Sequence, residues 1–161
     1  LSIVDAGYFS ENNLKALYEG EVSFLTRMPS SRIIYKELIA KNQDIQNGEN
    51  IVKYNERVLF IKEEKIELYG YIAYTYIICD PERRGREISK YAANCEQPKK
   101  LDISCCGMMI LVSNMQIDKN EVILLYYTRQ AAEQLFGISK DDLNILPVRT
   151  HSEKNLENLC F

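Results

Sequence analysis

The chain changes its hydrophobic rhythm several times, and each change marks an element. "LSIVD" is a short apolar run ending on Asp5, and "AGYF" after it reads as a turn. Beyond it the apolar positions take helical spacing. Ser10 is placed to cap a helix over "ENNLKALYEG", with Leu14 and Leu17 inward and Gly20 as its stop. "EVSFLTR" returns to strand character, so two strands flank a helix and are expected to lie parallel as neighbours. A second helix, "SSRIIYKELIAK", follows Pro29. From about residue 49 the segment "NIVKYNERVLFIKEEKIELYGYIAYTYIICD" is β-branched and aromatic with partial alternation, broken at Asn55 and Gly70. It predicts two to four antiparallel strands, forming a sheet outside the parallel core. Tyr69, Tyr71, Tyr74 and Tyr76 read there as sheet-face packing. Pro81 opens a charged helix reaching about Cys95, "CGMMILVSN" is a buried strand, and a long helix begins at Lys119 or Asn120.

This order of elements predicts an α/β (α+β) protein, and 161 residues suffice for one domain with a core. Apolar residues at 46% and charged residues at 27% fit a soluble globular chain. The longest tempting apolar run, "GYIAYTYIIC", is about half of a bilayer span. A soluble, intracellular protein is therefore expected. Because "LSIVD" already reads as a core strand, the chain is expected to be a piece of something longer.

Charge and chemistry narrow the field. A net charge of −3 runs against a general nucleic-acid binder. The basic residues are bunched, with Arg83, Arg84 and Arg86 in "PERRGREISK" and then Lys99 and Lys100, a run that reads first as a solvated helix face. Five cysteines, Cys79, Cys95, Cys105, Cys106 and Cys160, contain no C-x-x-C pair and predict no disulfide framework. With His151 as the single histidine, Ser-His-Asp, Cys-His and multi-histidine metal sites are disfavoured. Neither G-x-x-x-x-G-K nor G-x-G-x-x-G occurs.

Two carboxylates stand out by position. Asp5 ends a strand, where open α/β sheets place their chemistry. Glu133 lies in "YYTRQAAEQLFGISK", where Tyr126, Arg129, Glu133 and Lys140 fall within roughly 60° of one another around a helix. The plain alternative for Glu133 is an i,i+4 pair with Arg129, in the weaker orientation and contributing about 0.2–0.5 kcal/mol at most.

"YYTRQAAEQLFGISKDDLNILPVRTHSEKNLENLCF" resembles the end of the catalytic domain of DDE-type insertion-sequence transposases. That group carries a signature of tyrosine, two residues, arginine, three residues, glutamate, six residues, lysine, which Tyr126, Arg129, Glu133 and Lys140 meet at every spacing. "IVDAGYFSENNLKALYEGEVSFLTRMP" is similar to the segment around the family's second aspartate, which maps onto Asp5. The resemblance implies a partial RNase H-like core from segments of about 1–40 and 107–161, with a β-rich insertion at about 45–105. It implies Asp5 and Glu133 as catalytic, metal-binding carboxylates for two Mg²⁺ ions roughly 3.5–4 Å apart. It also implies Tyr126, Arg129 and Lys140 as contacts to transposon-end double-stranded DNA, a homodimer in the full-length protein, and a cytoplasmic, nucleoid-associated location. The implied activity is metal-dependent strand cleavage and strand transfer at transposon ends. Gln130 departs from the family, in which tryptophan is common after the arginine. The family's first aspartate is expected upstream of Leu1, so this chain is expected to be a fragment lacking it.

Two other readings remain at this point. One is a catalytically inert transposase remnant. The other is a PAS-like sensor or interaction module, suggested by "QAAEQLFGISKDDL". In PAS domains that stretch is followed by several strands, whereas 21 residues of helical character follow Lys140 here.

Overall fold

The computed structural model describes residues 1–142, with side chains through Ala131. His151, Cys160 and the tail "LPVRTHSEKNLENLCF" lie outside the described residues. The elements run β1 (Ser2–Val4), α1 (Glu11–Glu19), β2 (Phe24–Arg27), α2 (Ile33–Lys41), β3 (Ile51–Tyr54), β4 (Arg57–Leu68), β5 (Tyr71–Cys79), α3 (Pro81–Ala93), β6 (Met108–Ser113) and α4 (Lys119–Asp142).

Local chemistry explains most of these boundaries. The Ser10 hydroxyl accepts from the Asn13 amide at 3.2 Å, and Gly20 closes α1. Asp80 caps α3 in the same way, accepting from the Arg83 amide at 3.1 Å, and Pro81 occupies the first turn, where its missing N–H costs no bond. Both hairpins turn on two residues with positive φ, Asn55–Glu56 and Tyr69–Gly70, the geometry that matches strand twist.

A single sheet joins all six strands in the order β1-β2-β6-β5-β4-β3. β1 and β2 are parallel, as their flanking of α1 predicts, and every other pairing is antiparallel. The middle of the chain does form antiparallel strands, but they do not stand outside the parallel core. β6 pairs with β2 on one side and β5 on the other, so the middle continues the same sheet. All six residues of β6 are buried, and hydrophobic cover on both faces is what a central strand requires. Asn114, just after β6, fastens the junction: its Oδ1 accepts from the Phe24 amide at 3.0 Å and its Nδ2 donates to the Val22 carbonyl at 2.9 Å.

The sheet has a core on each face. On one side Leu14 of α1 and Tyr35, Leu38 and Ile39 of α2 pack against Phe24, Ile77, Ile110 and Val112. On the other, Val122, Ile123 and Tyr126 of α4 pack against Leu25, Leu59, Ile61, Tyr76 and Leu111. Gly107 makes the approach of α3 to the start of β6 possible. Its φ is +69°, and a β-carbon there would lie 2.5 Å from the Arg84 Cβ and 2.7 Å from the Arg84 backbone.

Candidate active site

The carboxyl ends of β1, β2, β3 and β5 share one end of the sheet, because an even number of antiparallel steps separates β5 and β3 from β2. Open sheets place their chemistry at such ends. Asp5 sits there, directly after β1. Its Oδ1 accepts from the Gly7 amide at 2.6 Å, capping the short helical turn Ala6–Tyr8, and the Thr26 hydroxyl donates to its carbonyl at 3.4 Å. The other carboxylate oxygen has no partner among the described residues. Strand alternation puts Asp5 on the side of Ile3, which packs with the α4-side core.

The β1–β2 register matches Val4 with Thr26, so the next residue beside Asp5 is Arg27. Arg27 is half-buried. Burial pulls its guanidinium below the ordinary value, while the Tyr126 phenol, which accepts a hydrogen bond from it, pushes the other way. Arg83 and Tyr35 are also close enough to act on its charge. This residue is absent from the sequence-derived site. A cation ending an otherwise apolar strand was the available signal.

α4 supplies the other side. Tyr126 is only 7% exposed and belongs to the core that holds the helix on the sheet. Its neighbour Tyr127 stacks on Tyr54 of β3, with ring centroids 5.4 Å apart and planes at 28°. Burial raises the Tyr127 phenol. Arg129 is half-buried on the next turn. Glu133 and Lys140 belong to the last turns of α4, and their side chains lie outside the described residues. Among the described residues, no three metal-ligating side chains cluster. Asp5 and Glu133 are both hard oxygen donors of the kind Mg²⁺ selects.

The whole chain, residues 1–161, matches the family model described as transposase DDE domain. The protein belongs to that family. Among the described residues, its mixed fold of four α-helices and one six-stranded sheet is consistent with the α+β, RNase H-like architecture of these transposases. The family's domains act on DNA ends and generally use a divalent metal. The PAS-like reading falls with this match. Among curated proteins and among solved structures, none matches the chain. No described helix is long and apolar enough to cross a membrane.

Proposed function

We propose that this chain contributes to metal-dependent DNA strand cleavage and strand transfer at transposon ends. The observation that carries the reading is the family match along the whole chain, taken with Asp5 at the carboxyl end of a parallel strand on the side that α4 covers. Asp5 and Glu133 are the carboxylates that would hold Mg²⁺. When bound, such ions lower the pKa of an attacking water and stabilise the leaving oxygen of the phosphodiester. The chain's own part is to hold hard oxygen donors at the sheet end and to fix the DNA strand beside them. In this reading segments of about 1–40 and 107–161 carry the core, 45–105 is the insertion, and the first aspartate comes from a more N-terminal strand. The acting protein would be a homodimer.

Arg129 and Lys140 contact the DNA backbone in this reading, the arginine by two parallel hydrogen bonds and the lysine as a point charge. Tyr126 is packed against the sheet and hydrogen-bonded to Arg27, which supports a role in orienting that guanidinium, while its contact to DNA is what the family's signature implies.

Cleavage of a labelled transposon-end duplex by the complete protein tests the proposal. Glu133→Gln is expected to abolish cleavage with Mg²⁺ or Mn²⁺ and leave end binding largely intact, because a neutral amide cannot balance the charge of a metal ion. Lys140→Ala is expected to weaken end binding and flatten its salt dependence, because about one fewer phosphate is neutralised. Full activity of Glu133→Gln would remove this helix from the catalytic site.

A further inference from the structure

The arginine-rich run of α3 does not behave as one solvated face. Arg84 turns inward, donating to the Cys106 carbonyl at 3.3 Å. Arg83 and Arg86 instead line a cleft of about 270 Å³ together with Tyr54, Arg57, Asp80 and Tyr127. Four elements meet there: the β3–β4 hairpin gives Tyr54 and Arg57, the end of β5 gives Asp80, α3 gives two arginines, and α4 gives Tyr127. The lining carries three cations against one carboxylate, and Glu82 and Glu87 pair with two of those cations from outside it.

Two of the three guanidiniums are held in place. Arg57 is paired with Asp80 and lies 3.2 Å from Glu82, and its charged form is favoured by those carboxylates, most of all by the Asp80 hydrogen bond. Arg83 Nε donates to Glu87 at 2.7 Å, and Glu87 in turn accepts from the Gly107 amide at 2.7 Å. Arg86 is exposed and forms no ion pair among the described residues. Two oriented arginines and one open to solvent, beside stacked tyrosine rings, make a cradle for an oxyanion joined to a compact apolar body.

We propose that this cleft grips one sugar-phosphate unit of the DNA backbone, outside the carboxylate site. The inference rests on the DNA-cleaving function proposed above and names a further contact for its substrate. Guanidinium forks match phosphate oxygens, and tyrosine rings and hydroxyls suit a furanose. The one carboxylate in the lining, Asp80, is already engaged by Arg57 and the Arg83 amide rather than open to a base edge, so the contact is independent of sequence. Position agrees. The cleft opens at the same sheet end as Asp5, and Asp80 lies three strand spacings across and four residues along from it, roughly 20 Å. That is about six base-pair steps of duplex at 3.4 Å each.

The test is fluorescence anisotropy of the 161-residue chain with two end-labelled 20-base-pair duplexes of unrelated sequence, titrated at several KCl concentrations. Arg86→Ala removes an exposed side chain and should leave the fold intact. It is expected to weaken both duplexes about tenfold, one charge-assisted hydrogen bond, and to lower the salt slope by about 0.9. Arg57→Gln should act in the same direction, with a thermal melt to check folding. Lys15→Ala, on α1, should change neither quantity. Unaltered affinity and slope in Arg86→Ala overturns the inference, as does a loss limited to one sequence or a wild-type chain that binds neither duplex at 50 mM KCl. Failure here leaves Glu133→Gln to judge the carboxylate site separately, since that variant is read by cleavage and this cleft by binding.

Discussion

The two faces of the sheet are built from similar residues and are covered in different ways. The face under α1 and α2 is covered by two short helices that bury Leu14, Leu38 and Ile39 together with the ring of Tyr35. The opposite face is covered by one long helix, and this helix carries Arg129, Glu133 and Lys140 beyond its packing residues Val122, Ile123 and Tyr126. One face therefore supplies stability. On the other, the same helix both packs and delivers the candidate chemistry, so a change there can act on function without acting on the core.

That contrast can be broken most directly at Leu14. It is 1% exposed and fully inside the first core. Leu14→Ala is expected to lower the unfolding free energy by about 2–5 kcal/mol, from reduced burial plus the cavity. Urea denaturation measures it, and DNA affinity per folded molecule should stay unchanged. A parallel fall in affinity would mean that the two faces are not separable.

A smaller effect is expected at Tyr126, where packing and chemistry meet. Tyr126→Phe keeps the ring in the second core and removes the hydroxyl that accepts from Arg27. The expected cost is about 1 kcal/mol in urea denaturation. Binding of a DNA duplex should weaken several-fold, because an unsteadied Arg27 remains at the sheet end. Loss of stability with no change in binding would return Tyr126 to the core alone.

The mildest prediction concerns alkaline pH on the first face. Tyr35 is 3% exposed, donates to the Met108 carbonyl at 3.1 Å, and is pushed by burial from 10.0 up to about 12. Its folded value lies above its unfolded one, so the stability it contributes is complete below pH 10 and is lost as pH rises towards 12. Tyr18 is raised to about 12 by burial too and adds to the same slope. Tyr35→Phe should therefore flatten, without abolishing, the fall in melting temperature between pH 10 and 12. An identical slope in the variant would place the alkaline transition elsewhere.

Sequence made the local structure legible where local chemistry decides it. The Ser10 cap, the Gly20 stop, the Pro81 start and the hairpin turns at Asn55 and Gly70 each depend on neighbours in the chain. The continuity of the sheet was not legible. β6 is buried on both faces, so its sequence "MMILVS" has no alternation to name its partners, and pairing with β2 and β5 is decided by tertiary packing. The site divides in the same way. Asp5 and the α4 stripe could be picked out because strand end and helical spacing are sequence properties. Arg27 and the arginine cleft could not, since Tyr54, Asp80, Arg86 and Tyr127 come together only through the fold.

β6 also decides how a load travels through the molecule. A force applied to DNA gripped at the proposed cleft beside α3 would pass by hydrogen-bonded strands from β5 through β6 and β2 to β1, which Asp5 directly follows. The sheet should transmit that pull as a stiff beam. Bending the helix axis of the DNA, rather than hinging the protein, would then be the easier way to relieve strain between the two ends of the bound segment.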